Sequence, residues 1–239
     1  MYSKKLLFSI LIGVSLSTYA LAYERPQENL QDYKNAIIQY HESGQYEKDV
    51  AVVADRAKVD LAKRIAANKA SQHPQKLAMV LDIDETSLSN YSDRKVLAFG
   101  GTKPMILSAE AEAHDVTIMP TLKLYQYAEK NGVTVFFVTG RQELYRKQTI
   151  KNLVDAGYSS VSHSIKACQN EAVNGHCTLY FRSGTYLNTG AIPFKTAMRR
   201  KIEAAGYKIV INIGDQESDL KGGYSEKTYK YPNFMYFIP

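Results

Sequence analysis

A doubly wound α/β fold, a parallel sheet with helices on both faces, follows from three features of the sequence. Residues 77–81, 133–138 and 209–213 are short, mainly apolar runs, broken only by Thr134 and Asn212, as in strands covered on both sides. Each run ends abruptly in polar residues. Segments with apolar residues at helical spacing lie between them, and strands alternating with helices form a parallel sheet through right-handed crossovers. A helical extension before the first run and a small insert after it complete the expected architecture.

The chain has 239 residues. Lys4 and Lys5 precede an apolar stretch over 6–16 that is too short to span a bilayer, and Ala20-Leu21-Ala22 has the form of a cleavage site. Residues 1–22 therefore read as a secretory signal peptide, and 23–239 as one domain that is periplasmic or secreted. No Cys near the cut offers a lipid anchor, and no later stretch is long and apolar enough to span a membrane. Removing the two signal lysines takes Lys+Arg from 30 to 28 against 24 acidic residues, a mildly basic balance. The basic residues form no long run, so nucleic-acid binding is not indicated.

The first helix is expected over 28–41, with Leu30, Tyr33, Ile37 and Ile38 on one face and Ser43-Gly44 as its stop. A longer one spans 47–71, carries Val50, Val53, Ala57, Leu61 and Ile65, and closes at His73-Pro74. Both are expected to pack on the core as structural support. The strand at 77–81 then delivers Asp82. Residues 87–119 read as irregular, broken by Gly100-Gly101 and Pro104, and sized for a small cap. Pro120 opens a helix that buries Leu122, Leu124, Tyr125 and Ala128 and stops at Asn131-Gly132. The strand at 133–138 ends in Thr139-Gly140-Arg141, and a helix follows over 142–156. Weaker strands are expected at 161–165 and 178–181. Pro193 opens a helix carrying Lys195, Met198 and Ile202, and the strand at 209–213 ends in Gly214-Asp215, with Asp219 just beyond. The aromatic tail, 229–239, is expected to pack on the domain.

Cys168 and Cys177 are the only cysteines. In an oxidising compartment two cysteines so close in sequence are expected to form a disulfide, worth roughly 2–3 kcal/mol.

Ligands in an open parallel sheet bind beyond the carboxyl ends of the strands, so the polar ends of the three main runs converge on one edge. Asp82 and Asp84 arrive from the first, and point the same way if the chain stays extended. Asp215 and Asp219 arrive from the third. Carboxylates this close need a cation, because like charges otherwise raise a pKa and neutralise one of them. Oxygen ligands without His favour Mg²⁺. Thr139, Gly140, Arg141 and Lys195 supply the donors and positive charge that a phosphoryl group requires. Taken singly, Lys195 also suits a solvated helix face and Asp219 a helix's first turn.

The order Asp-x-Asp-x-Thr, Thr-Gly-Arg, Lys, Gly-Asp-x-x-x-Asp resembles the haloacid dehalogenase (HAD) superfamily of phosphohydrolases. More narrowly, Leu-Asp-Ile-Asp-Glu-Thr, Phe-Phe-Val-Thr-Gly-Arg, Ile-Gly-Asp-Gln-Glu-Ser-Asp-Leu and the ending Tyr-Pro-Asn-Phe-Met-Tyr-Phe resemble its exported acid phosphatases of subfamily IIIB: the class B and class C enzymes and the plant vegetative storage proteins. The resemblance implies a Rossmann-like HAD fold. It implies that Asp82 is the nucleophile and Asp84 the general acid and base. Asp82, Asp84 through its carbonyl and Asp215 would bind Mg²⁺. Thr139, Gly140 and Lys195 would hold the phosphoryl group with help from Arg141, and Asp219 would position Lys195 or a metal-bound water. The implied substrate is a phosphate monoester, including nucleoside monophosphates, and a homo-oligomer is compatible with it. Transfer to an alcohol in place of water, and a non-catalytic storage or binding role on the same fold, are the alternatives.

Overall fold

The computed structural model describes residues 29–161 and 177–238. The expected signal peptide and Cys168 lie outside these residues. Helix α1, Leu30–Glu42, opens on a capping box in which the Asn29 side chain accepts from the Asp32 backbone and the Asp32 carboxylate accepts from the Asn29 backbone. Gly44 turns the chain at φ 75°, a left-handed conformation that glycine adopts freely, into α2, Gln45–Lys69. Val50, Ala54, Ala57, Leu61 and Ile65 form the buried stripe of α2 at helical spacing.

Strand β1, Lys76–Leu81, follows. Its side chains alternate between two cores: Leu77, Met79 and Leu81 enter one, Ala78 and Val80 the other. That two-sided burial is why the run is apolar throughout. The insert is ordered, contrary to the irregular path expected over 87–119. A two-residue strand β2, Leu88–Ser89, pairs antiparallel with β3, Val116–Thr117. Between them stand α3, Tyr91–Val96, and α4, Lys103–Glu112. Gly100-Gly101 separates these helices, and Pro104 sits in the first turn of α4, where its missing N–H costs nothing.

Helix α5, Met119–Lys130, leads to β4, Thr134–Gln142. The strand runs through Thr139-Gly140-Arg141 and does not stop there, so the next helix, α6, Arg146–Asp155, starts later than expected, after a 3₁₀ turn. Of the strand expected at 161–165, Val161 is buried at a helical position, and 162–165 lie outside the described residues. Strand β5, Leu179–Arg182, a 3₁₀ turn, Gly184–Asn188, helix α7, Ala191–Ala204, strand β6, Tyr207–Gly214, helix α8, Glu217–Leu220, and strand β7, Lys227–Lys230, complete the described elements.

The main sheet has the order β5-β4-β1-β6-β7, and every pairing in it is parallel. Helices α2 and α5 cover one face, and α7 packs Phe194 and Ile202 on the other. Strand β7 was not expected. Its sequence, Lys-Thr-Tyr-Lys, is polar because it is a largely exposed edge strand, and polar edges discourage strand addition. The chain order places β1 at the centre between β4 and β6, so the carboxyl ends of these three strands are neighbours.

Candidate active site

Asp82 follows β1 directly, and its N–H donates to the Ile213 carbonyl of β6. The chain then turns instead of remaining extended. Thr86, Ser87 and Leu88 all donate their N–H to the Ile83 carbonyl, and Glu85 takes a φ of 51°. The turn carries the Asp84 side chain away from Asp82, so the two carboxyls have separate partners. Asp82 Oδ1 accepts from Lys195 Nζ at 2.5 Å. Asp84 accepts from the Arg141 guanidinium through Nε and Nη2 at 2.8–3.2 Å.

Lys195 projects from α7 one turn in from its start and also donates to Asp219 Oδ1 at 2.5 Å. Its ammonium therefore bridges a carboxylate just after β1 and one from α8, the helix that follows β6. Asp219 Oδ2 in turn accepts from the Gln216 N–H at 2.8 Å. Asp219 can lie this close to β6 because residue 214 is glycine: a Cβ there would stand 2.2 Å from the Asp219 Cβ and 2.3 Å from Oδ2. Asp215 accepts from Asn233 Nδ2 at 2.7 Å and Gln216 Nε2 at 2.5 Å, and its other oxygen lies 3.4 Å from the Thr86 hydroxyl.

Asp82, Asp215 and Asp219 each place a carboxylate oxygen within 4.8 Å of the others, and all three are buried. Lys195 is the cation within this group. Burial, and then the neighbouring Asp219, push the Asp215 carboxyl up to about 7. Burial likewise raises Asp82 well above the usual carboxylate range, against the pull of Lys195 and with the push of Asp219 and Asp215. Lys195 is held above the ordinary lysine value by the same two carboxylates, although burial opposes this. A buried set of three carboxylates around one ammonium carries an excess of negative charge, which a hard divalent cation would offset. The donor set is all oxygen, as such an ion requires.

Beside this cluster lies a cavity of about 110 Å³, walled by Asp82, Asp84, Gly140, Lys195, Asp215 and Tyr236 among others. Gly140 faces open space, where an added Cβ would meet nothing within 4 Å. Thr139 is fully buried beside it, and its hydroxyl accepts the Arg141 N–H at 3.1 Å. The Arg141 side chain is buried and committed to Asp84 and, through Nη2 at 2.6 Å, to Asp115. Burial alone would raise the Asp84 carboxyl, but the charge and hydrogen bonds of Arg141 hold it below its ordinary value.

All the residues singled out in the sequence, apart from the cysteine pair, thus meet at one sheet edge. Several neighbours escaped sequence reasoning. Asp115 completes the Arg141 pair, Arg94 and Glu110 face the cavity from the insert, Tyr236 closes it from the tail, and Asn233, also of the tail, donates to Asp215. Asn233 and Tyr236 stand in the aromatic ending that carries part of the family resemblance, a usable signal. Asp115, Arg94 and Glu110 have no motif around them. Arg94 also lies 4.6 Å from the Tyr236 ring centre, tying insert to tail.

The sheet order and the acidic groups at the ends of β1 and β6 fit a Rossmann-like fold of HAD type. The chain belongs to the HAD superfamily, subfamily IIIB (acid phosphatase), whose family model matches residues 14–239. Acid phosphatase 1 of Solanum lycopersicum is 33% identical over 175 residues, covering 66% of this chain and 58% of that protein. The stem 28 kDa glycoprotein of Glycine max is 31% identical over 209 residues, covering 85% of this chain and 74% of that protein. The class C acid phosphatase of Bacillus anthracis shares the fold, with a TM-score of 0.66 at 20% identity over 87% of this chain and 86% of the other.

Proposed function

We propose that this protein is an exported, Mg²⁺-dependent acid phosphatase that hydrolyses phosphate monoesters through an aspartyl-phosphate on Asp82. The observation that carries the reading is the bridge of Lys195 between Asp82 and Asp219, with Asp215 alongside and a cavity opening onto all of them. The ammonium orients the Asp82 carboxylate and would meet the phosphoryl oxygens as they arrive. The Gly140 backbone borders the space that those oxygens would fill.

In the first step an Asp82 oxygen forms a bond to phosphorus as the ester P–O bond breaks. Asp84 gives its proton to the leaving alkoxide, which departs as the alcohol. In the second step water attacks phosphorus, its proton passes to Asp84, and the Asp82–phosphorus bond breaks to free phosphate. Asp82, Asp215 and the Asp84 carbonyl would hold Mg²⁺, which would neutralise phosphoryl charge and align the reacting groups. Asp219 serves as the anchor of Lys195. The Arg141 guanidinium, already paired with Asp84, acts on the proton donor more directly than on the phosphoryl group. Because it favours the ionised Asp84, the donor is loaded with a proton only in acid, which supports an acidic optimum.

Among the described residues no helix is long and apolar enough to cross a membrane, and release by a signal peptide at 1–22 is part of the proposal. So is a Cys168–Cys177 disulfide, which a mass change of two hydrogens on reduction would reveal. Asp82→Asn removes the nucleophile and keeps the side-chain shape. Hydrolysis of p-nitrophenyl phosphate is expected to fall at least a thousandfold, and full activity in the variant would overturn the mechanism. A storage role stands as the second reading, because storage proteins are among the relatives. Failure of the wild-type protein to turn over any phosphate ester with Mg²⁺ would favour it.

A further inference from the structure

The two-helix extension that precedes β1 reaches the turn between Asp84 and Leu88. Tyr46, in the first turn of α2, is buried, and its hydroxyl donates to Glu85 Oε2 at 3.0 Å. Glu85 is wholly buried between Asp84 and Thr86. Its second oxygen, Oε1, accepts the Asn90 N–H at 2.7 Å and the Ser89 hydroxyl at 3.0 Å. Three donors therefore fix one carboxyl that no step of the proposed reaction uses.

The backbone gives that carboxyl a task. Glu85 holds a φ of 51°, a left-handed conformation that a side-chain-bearing residue adopts only when its surroundings hold it there. Glu85 N–H belongs to the same peptide plane as the Asp84 carbonyl, and it donates to the Leu88 carbonyl at 2.8 Å. Fixing the Glu85 side chain thus fixes the plane that aims the Asp84 carbonyl. A second route runs through Asn90, whose backbone is held by Glu85 and whose side-chain Nδ2 lies 3.4 Å from Asp84 Oδ1.

Tyr46 is itself held in place. His41 of α1 stacks on its ring at 4.2 Å and on the ring of Tyr91, the first residue of α3, also at 4.2 Å. This column joins the extension to the far end of the same loop.

We propose that Tyr46 and Glu85 are positioning residues for the Asp84 loop, so that the N-terminal extension sets both the metal-facing carbonyl and the proton donor. The proposal rests on the phosphatase reading for the role of Asp84, and its effect on metal binding can be measured without turnover. The extension is then a working part of the site and more than the structural support its sequence suggests.

The test compares Tyr46→Phe and Glu85→Gln with Tyr40→Phe in the mature chain. Tyr40 donates to Asp49 at 2.8 Å within the same helices, so its loss removes a hydrogen bond of the same kind away from the loop. Mg²⁺ dissociation constants are read by calorimetry with the metal alone, kcat and KM with p-nitrophenyl phosphate, and Tm by scanning. Tyr46→Phe and Glu85→Gln are expected to weaken Mg²⁺ binding about tenfold, the range seen when a group that orients a ligand is lost. They should lower kcat at saturating metal while KM moves less than twofold. Tyr40→Phe should lower Tm comparably and leave metal binding and kcat unchanged. The proposal is overturned if Tyr46→Phe and Glu85→Gln change only Tm, as Tyr40→Phe does. A wild-type protein that binds Mg²⁺ but hydrolyses nothing would sink the phosphatase reading, and the calorimetric comparison would still decide this one.

Discussion

The Arg141 guanidinium grips the Asp84 carboxylate through two nitrogens while one of them also holds Asp115 at 2.6 Å. One buried cation thus serves two carboxylates, and its fork geometry suits the double contact in a way a point charge does not. The consequence is chemical. Asp84, the proposed proton donor, gives up its proton at lower pH than a free carboxyl because it is paired with a guanidinium.

Arg141→Lys keeps the charge and loses the fork. The Asp84 carboxyl should then rise toward its ordinary value, and the fraction protonated at a given pH should grow. The alkaline limb of the pH–rate profile for kcat is expected to move up by roughly one unit. Steady-state kinetics across pH 3–8 checks it, and an unmoved limb in an active variant would show that Asp84 does not supply the proton.

Gly214 permits the close approach of Asp219 to the end of β6. In Gly214→Ala the new methyl would overlap the Asp219 side chain at 2.2 Å, and neither backbone segment can yield cheaply. A destabilisation of about 1–3 kcal/mol is expected from such overpacking. The displaced Asp219 should also loosen Lys195 and lower kcat. Urea unfolding with activity measured below the transition separates the two effects.

The parts of this molecule that the sequence reveals are those with a strong local cause. Leu77 to Leu81 reads as a central strand because both of its faces are buried, and the three polar strand ends converge because parallel strands share a direction. Strand β7 is hidden because an exposed edge strand needs no apolar pattern. The insert helices are hidden because none of their residues is fully buried, so no stripe marks them. Asp82 and Asp84 read as a pair, yet a turn closed on the Ile83 carbonyl gives them different partners. That turn depends on Glu85 and on Tyr46, which is 39 residues earlier in the chain, and no local pattern carries such a contact.

Asn233 donates to Asp215 from the tail. Its removal leaves a proposed metal ligand free to turn. Asn233→Ala is expected to weaken Mg²⁺ binding by about tenfold or more while the fold persists, since the tail keeps the Gln216 contacts to Tyr236 and Ile238. Calorimetric titration with Mg²⁺ checks it, and unchanged binding would remove Asp215 from the metal site.

Burial raises the carboxyls of Asp215 to about 7 and of Glu85 to about 8, from ordinary values of 3.8 and 4.5. Without metal the folded protein therefore holds protons across this window that the unfolded chain has already released. These two carboxyls therefore make stability fall as pH rises from about 4 toward 8, because at both sites the unfolded state binds fewer protons there; the lowered His41 opposes them only below about 6.5. A divalent cation beside Asp215 reverses the local balance by favouring the ionised carboxylate, and it binds the folded state alone. The Tm of the protein in chelator is expected to drop steadily between pH 5 and pH 8, and Mg²⁺ should recover most of the loss at pH 8 while raising Tm by less at pH 5. Scanning calorimetry at the two pH values, with and without the ion, checks both halves. A Tm in chelator that rises with pH would mean that these carboxyls are already ionised in the folded protein and that no charge excess awaits a metal.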